Sequence, residues 1–193
     1  MADSKEGEVY WHCPDPRAII PLENTKKPKS LRKSEEKYEF EYRVDTDFKA
    51  VITKCADRDD TWISDEIIET YTMLHELGSA HSVETYIDNE LVGGLYGVSV
   101  GGAFFGESMF SKRRDTSKMA LAWLTDRLRE TGFILMDTQF LTAHLKSMGG
   151  VEISRAKYLK KLEEALSGKP ANITALNSRQ SPQDVIQRNA QTS

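Results

Sequence analysis

The spacing of apolar and polar side chains in the first half of the chain predicts two strands followed by two helices. Ala18–Leu22 is a short apolar segment, and apolar side chains alternate with charged ones over residues 38–44, a period of two that is typical of a half-buried strand. A helix is expected from about Asp47 to Cys55. A second helix is expected from the N-cap Ser64 to about Gly78, where glycine favours a helix end.

A run of strands joined by tight turns follows these helices. Ser82–Ile87 and Leu91–Val100 are expected to be strands with a turn at Asp88-Asn89, and Gly101-Gly102 is a hairpin signal that leads to a strand over Ala103–Gly106. The second of these strands contains Gly93, Gly94 and Gly97. Glycine weakens a strand, so the three glycines indicate a bulge or a close approach by another backbone or a ligand.

The remaining pattern alternates helices with one apolar strand. A long helix is expected over Thr116–Thr131, then a strand over Phe133–Met136 that ends at Asp137, and further helices over Thr142–Met148 and Ser154–Gly168. These elements predict a single α/β (α+β) domain over residues 11–166. We expect a loose N-terminus over residues 1–10 and a polar, disordered tail over residues 167–193.

Composition narrows the class of protein. The 193 residues carry a net charge of −4, which argues against a protein that coats nucleic acid through overall positive charge but leaves a local basic patch open. Two cysteines do not form a disulfide framework, no apolar run approaches the roughly 20 residues that span a bilayer, and the first residues are polar. A cytoplasmic protein without a membrane contact is therefore expected. The four histidines show no metal-ligand spacing.

Several short segments together resemble one family of enzymes. They are Trp11 with Pro14-Asp15-Pro16-Arg17, Thr61-Trp62-Ile63, Leu74–Gly78, Ala80–Glu84, Leu91–Val98, Phe105–Ser111, Asp137-Thr138-Gln139, and Glu152-Ile153 with Arg155 and Tyr158-Leu159. Over about residues 11–166 the chain resembles the bacterial leucyl/phenylalanyl-tRNA–protein transferases. The Leu-Val-Gly-Gly-x-Tyr-Gly-Val and Gly-Glu-Ser-Met-Phe-Ser strings are highly specific when they occur together.

The resemblance implies an activity and a fold. Members move Leu or Phe, and less well Met, from aminoacyl-tRNA to proteins that begin with Arg or Lys, which marks those proteins for degradation through the N-degron pathway. No cofactor is implied. The catalytic domain of the family is similar to the acetyltransferase (GNAT-type) superfamily, with a mixed sheet flanked by helices. The family usually carries a small N-terminal domain that contributes to the pocket for the aminoacyl-adenosine end, and here only about ten residues precede Trp11.

Asp137 and Gln139 are the candidate catalytic residues. Attack of an α-amine on an aminoacyl ester requires loss of a proton from the amine, and the leaving ribose hydroxyl requires one. Asp137 follows an apolar strand and could hold the incoming ammonium, and Gln139 faces the same side if the strand continues. In the family the matching Asp and Gln have this role. Two alternatives stay open: the tRNA's own ribose hydroxyl relays the proton, or Asp137 only caps the next turn.

The Gly-Glu-Ser-Met-Phe-Ser string supplies candidates for binding both substrates. Glu107 could bind the cationic acceptor residue, with Ser111 as either a site hydroxyl or an N-cap. Met109 and Phe110 could form the pocket for Leu or Phe, and Leu95 matches a pocket position in the family. Ordinary core packing remains the alternative for these three apolar residues.

Basic residues and one tryptophan are the candidates for binding tRNA. They are Arg32 and Lys33, which match a basic pair that the family uses on the acceptor stem, then Lys112, Arg113 and Arg114, and finally Trp62. Contacts to phosphates would give salt-dependent binding that tolerates many sequences. Trp62 could equally stack on a base or pack in the core.

Two other functions are compatible with the sequence. The first is an acetyl-CoA-dependent N-acetyltransferase on the same fold. It is disfavoured because residues 112–118, before the long helix, contain no glycine to bring backbone amides close to a pyrophosphate. The second is a non-catalytic module that binds tRNA or peptides.

Overall fold

The computed structural model describes residues 13–23, 28 and 31–175. The predicted loose N-terminus, Trp11 and the tail beyond residue 175 lie outside the described residues. The strands are β1 (Arg17–Ile20), β2 (Glu41–Val44), β3 (Ala80–Ile87), β4 (Glu90–Val100), β5 (Ala103–Ser111), β6 (Leu135–Gln139) and β7 (Val151–Ile153). The helices are α1 (Arg32–Lys37), α2 (Phe48–Ala56), α3 (Asp65–Glu76), α4 (Thr116–Glu130), α5 (Ala143–Ser147) and α6 (Arg155–Ser167).

The described strands form one mixed sheet in the order β2-β3-β4-β5-β6-β1-β7. Neighbouring strands are antiparallel except for β5 and β6, which are parallel. Since side chains alternate along a strand, Leu95 and Tyr96 of β4 point to opposite faces. Leu95 belongs to the main core under α4, and Tyr96 belongs to a second cluster with α2. The helices therefore cover both faces of the sheet.

Side-chain caps fix where four helices begin. Asp47 and Ser64 accept hydrogen bonds from the backbone of Ala50 and Ile67, at the starts of α2 and α3. Thr142 and Ser154 do the same at α5 and α6. Each cap satisfies one of the backbone N–H groups that have no partner inside the first turn of a helix. The predicted helix starts at these positions are confirmed.

Three features of the fold differ from the sequence-based expectations. The strand expected over Ala103–Gly106 does not stop at Gly106 but continues as β5 to Ser111. β7, which pairs with β1, was not expected from the sequence, because its three residues are too few for a periodic pattern. The expected disordered tail is wrong for its first part, because Ile173 is fully buried and its carbonyl accepts a hydrogen bond of 2.8 Å from Arg127 Nε.

The split between β5 and β6 is the feature that positions the site. The two strands pair only over Ala103–Phe105 and Leu135–Asp137. A bulge follows in β5, since Gly97 of β4 pairs with Gly106 and Tyr96 pairs with Ser108, which leaves Glu107 as the extra residue. A bulge bends its strand and strengthens the local twist. Beyond Phe105 and Asp137 the two strands separate.

Candidate active site

A cavity of about 360 Å³ lies at this split. Its volume falls in the range of roughly 300–1,000 Å³ that is usual for small-molecule sites. Apolar side chains come mainly from the α4 face of the sheet and include Leu95, Met109, Leu121, Met136 and Leu145. Polar side chains include Arg58, Tyr96, Glu107, Ser108, Thr138 and His144. The lining therefore has an apolar part and a polar part, and both include side chains of β5 and β6.

Glu107, at the bulge of β5, is the only carboxylate among the described residues that line the cavity. Burial raises the pKa of Glu107, and the negative charge of Asp137 raises it further, while a hydrogen bond from the Tyr71 hydroxyl and the charge of Arg17 oppose the shift. A carboxylate in this position gains from a cation that replaces its lost hydration. The geometry thus suits the binding of a positively charged group.

Asp137 does not line the cavity, although Met136 and Thr138 on either side of it do. Its side chain is almost fully buried and is held by Arg17, whose Nη2 lies 2.6 Å from Oδ2 and whose Nε lies 3.0 Å from Oδ1. The Tyr158 hydroxyl donates to the same Oδ2 at 2.6 Å. Direct contact between this carboxylate and a substrate would require one of these partners to move.

Gln139 does not follow the alternation that the sequence predicts. Its φ of 63° is left-handed, and the pairing of β1 with β6 shifts between Asp137 and Gln139. β6 continues to Gln139 as the expectation required, but the left-handed backbone and the shifted pairing interrupt the regular alternation there, and the role of the Gln139 side chain stays a prediction. The Gln139 backbone N–H donates to Asp137 Oδ1 at 2.7 Å, so Asp137 caps this turn.

The last two residues of β5 lie outside the cavity. Phe110 packs against the cluster with α2, on the face opposite Met109, because side chains alternate along the strand. Ser111 Oγ accepts a hydrogen bond of 2.9 Å from the Ser117 backbone at the start of α4. Of the two open roles for Ser111, the structure shows a cap-like contact, and Phe110 is not a wall of the pocket.

The two basic clusters that the sequence predicts are neighbours in space. Ser34 of α1 donates a hydrogen bond of 3.2 Å to Asp115, directly before α4, and the Arg113 guanidinium lies 5.9 Å from the centre of the Tyr38 ring. Arg32 and Lys33 are exposed on α1. The basic side chains thus lie around one junction between α1 and the start of α4.

The cations at this junction differ in the ion pairs that they form. Lys112 forms an ion pair with Glu90, and Arg113 Nη2 lies 2.8 Å from the same carboxylate. The Arg114 side chain is 93% exposed, and its Nε lies 3.5 Å from Asp115 Oδ2. Trp62 is partly buried and packs against the α2 cluster, so packing is the role that the structure shows for it.

Comparison with known proteins gives a clear relationship. A sequence model of the family described as leucyl/phenylalanyl-tRNA protein transferase matches residues 19–163. A leucyl/phenylalanyl-tRNA–protein transferase of Ruegeria pomeroyi is 52% identical over 194 aligned residues, which cover all of this chain and 91% of the relative. Its counterpart from Herpetosiphon aurantiacus is 53% identical over 84% of this chain and 85% of its own length.

The chain belongs to the leucyl/phenylalanyl-tRNA protein transferase family. As a member of that family it is a transferase, which confirms the class of enzyme expected from the sequence. A solved structure of a conserved protein of unknown function from Bacteroides thetaiotaomicron has a TM-score of 0.45 and 13% identity, covering 81% of this chain and 57% of that one.

Sequence analysis did not identify every residue that lines the cavity. Arg58, Tyr96 and His144 all line it, and none was a candidate. Arg58 lies in the loop after α2 and His144 lies in a five-residue helix, so no strand pattern points at either. Tyr96 lies within the Leu-Val-Gly-Gly-x-Tyr-Gly-Val string, and Thr138 lies between the candidates Asp137 and Gln139. The short helix directly after the Asp137 strand was the one local signal for His144.

Among the described residues, no helix has both the length and the apolar composition needed to cross a bilayer.

Proposed function

We propose that this chain transfers Leu or Phe, and less well Met, from aminoacyl-tRNA to the N-terminal Arg or Lys of acceptor proteins in the cytoplasm, which marks them for N-degron degradation. The observation that carries the proposal is the cavity at the split between β5 and β6, which is lined both by apolar side chains and by the half-buried carboxylate of Glu107. An aminoacyl ester with an apolar side chain and a cationic acceptor residue require these two environments side by side.

The apolar part receives the side chain of the transferred amino acid. Leu95 and Met109 line it from adjacent strands, paired directly across β4 and β5. An unbranched methionine adapts to both the flat ring of Phe and the branched end of Leu. Selection against Ile or Val arises from a clash near their branched Cβ, since one methylene alone is worth only about 1–3 kcal/mol.

Asp137 acts from behind the cavity wall in this proposal. Its negative charge is fixed between Arg17 and Tyr158 and is felt by Glu107, while Gln139 is held next to it through its backbone. The carboxylate would thereby favour an ammonium that enters the cavity, with Gln139 offering its amide to the amine. Proton relay by the ribose hydroxyl of the tRNA is compatible with the same arrangement.

We also propose that the sheet is of the acetyltransferase type. Support comes from a parallel pair of neighbouring strands that separate after a bulge, with the cavity in the gap. An acetyl-CoA-dependent activity is less well supported on this sheet. The Ser117 amide at the start of α4 is already bound by Ser111 Oγ, and the segment before the helix lacks glycine.

The activity is tested with Phe-tRNA that carries labelled Phe and a peptide that begins with Arg. Label on the peptide is the expected result, and no label at any enzyme concentration would contradict the proposal. Acetylation of the same peptide from acetyl-CoA would instead support an acetyltransferase. Binding of tRNA without transfer would support a non-catalytic module.

Glu107→Gln tests the acceptor half of the site. The variant keeps the shape of the side chain but removes the charge, so KM for the Arg peptide is expected to rise roughly 10- to 100-fold, the equivalent of a charge-assisted hydrogen bond of about 1.5–3 kcal/mol. KM for Phe-tRNA should change little. Glu69→Gln, on the exposed surface of α3, is the charge-matched control. An unchanged KM for the Arg peptide in Glu107→Gln would remove Glu107 from acceptor binding.

A further inference from the structure

Three residues that line the cavity each carry a buried polar atom without a hydrogen-bond partner. In the part of the chain that the structure describes, the Tyr96 hydroxyl, Thr138 Oγ1 and His144 Nε2 have no partner, and all three residues line the cavity. Folded proteins pair the great majority of their buried polar groups, so an unpaired group calls for an explanation. Three such groups, all in residues that line one cavity, point to a polar ligand of that cavity.

His144 is the titratable member of this set. It lies at the start of α5, where the Thr142 cap and the buried Leu145 fix the helix against the core. Burial lowers the pKa of His144, and the positive charge of Lys118 lowers it further, while Asp115 opposes the shift. The ring is therefore mainly neutral at pH 7, and Nε2 carries a lone pair in the tautomer with its proton on Nδ1.

The charged groups that face His144 form two sets. Lys118 of α4 and Asp115 in the turn before it act on the ring, and Glu107 and Arg58 line the same cavity as His144. No carboxylate forms an ion pair with the ring among the described contacts of His144. A neutral ring whose buried Nε2 has no partner, in a residue that lines the cavity, is suited to accept a proton and then return it.

We propose that His144 is the proton-transfer group of the aminoacyl transfer, taking a proton from the attacking amine and giving it to the leaving ribose oxygen. This inference rests on the proposed function and adds a residue that sequence reasoning did not select. It differs from the assignment of Asp137, because His144 lines the cavity whereas Asp137 is enclosed by Arg17 and Tyr158.

The step balances without another reactant. The nitrogen of the neutral α-amine attacks the ester carbonyl carbon, a C–N bond forms, and the nitrogen gives its proton to His144 Nε2. The C–O bond to the ribose then breaks, and the ribose oxygen takes the proton from Nε2, which returns the ring to its neutral form. The products are a peptide bond and a free tRNA hydroxyl. The hydroxyls of Tyr96 and Thr138 are available to donate to the carbonyl oxygen as it becomes negative.

The test compares wild type with His144→Gln in single-turnover transfer of labelled Phe to an Arg peptide. The Gln amide reaches a similar position to Nε2 but does not exchange a proton, so the rate is expected to fall by roughly 100-fold or more, with little change in KM for Phe-tRNA. His75→Gln is the matched control, because His75 lies at the end of α3 and its Nδ1 contacts the Ala80 carbonyl at 2.9 Å. Thermal unfolding checks that each variant folds. If His144→Gln does not fold, His144→Asn is used in its place.

The pH dependence separates proton transfer from simple positioning. The acceptor amine titrates in both proteins, so it cancels in the ratio of the wild-type rate to the His144→Gln rate. Since the pKa of His144 is below its ordinary value of about 6.5, this ratio should be constant near neutral pH and fall as pH decreases through the acidic range. A ratio that stays flat, or a variant close to the wild-type rate, would overturn the role of His144 while leaving the proposed function intact. Failure of wild type to transfer would instead overturn the proposed function.

Discussion

At the scale of single residues, Asp137 shows how one side chain can be both a structural support and a candidate for chemistry. Arg17 of β1 and Tyr158 of α6 reach its carboxylate from two elements that are far apart along the chain. The side chains of Arg17 and Asp137 are 13% and 1% exposed, so the ion pair is largely withdrawn from water. A buried pair of this kind is costly to break on one side only.

Arg17→Ala is expected to destabilise the protein by about 3–5 kcal/mol, because it leaves the Asp137 carboxylate buried without its cation. The measurement is the free energy of unfolding in urea. Arg17→Lys is the control, since it keeps the charge but cannot make the paired hydrogen bonds of a guanidinium, and it should be destabilised less. Equal stability of Arg17→Ala and wild type would show that the pair contributes nothing to folding.

Part of the cavity lining was predictable from the sequence. Glu107, Leu95 and Met109 line the cavity as expected. Phe110 lies on the face opposite Met109 because side chains alternate along β5, so simple alternation already argued against placing both in one pocket. The left-handed backbone of Gln139 and the shifted pairing of β6 with β1 have no such signal in the sequence. His144 depends on tertiary contacts that bring a short helix to the gap, and no local pattern encodes those.

At the scale of elements, the glycines of β4 set how closely its neighbours approach. Gly97 lies at the bulge, where the Cβ of any larger residue would lie 2.3 Å from the Phe105 carbonyl oxygen, and Gly93 lies under the start of α4. Both predicted alternatives occur in β4: Val92, beside Gly93, is an extra residue in the pairing with β3, and the Phe105 backbone approaches Gly97 closely. The element pattern therefore predicted most strands and helices, while the length of β5 and the existence of β7 depended on pairing with partners distant in sequence.

Gly93→Ala is expected to destabilise the fold by about 1–3 kcal/mol, the usual cost of overpacking. The new Cβ would lie 2.5 Å from Thr116 Oγ1 and 2.8 Å from the Thr116 carbonyl carbon, so β4 and α4 would have to separate. Gly106→Ala is the control in the same sheet, because its nearest neighbour would be the Asp137 carbonyl oxygen at an ordinary 3.5 Å. Urea unfolding of both variants measures the difference, and equal midpoints would mean that α4 shifts at no cost.

At the scale of the whole molecule, charge is separated although the net charge is −4. The exposed cations of α1 lie beside the start of α4, joined by the contact between Ser34 and Asp115. Two further cations there, Lys112 and Arg113, share the Glu90 carboxylate. A basic junction on a protein of negative net charge attracts a polyanion, so in the proposed function we expect this junction to orient a tRNA toward the site.

Arg32→Ala combined with Lys33→Ala is expected to weaken tRNA binding and to make its salt dependence shallower, with the slope of log K against log salt reduced by roughly one for each phosphate that the variant no longer neutralises. Lys157→Ala with Lys160→Ala is the matched control, because α6 packs on the opposite face of the sheet from α4. Glu90→Gln should have the opposite effect, since it releases Lys112 and Arg113 from their ion pairs. Binding is measured at several salt concentrations with uncharged and aminoacylated tRNA. If the α1 pair and the α6 pair lower the slope equally, tRNA does not dock at the basic junction and the charges there serve only solubility.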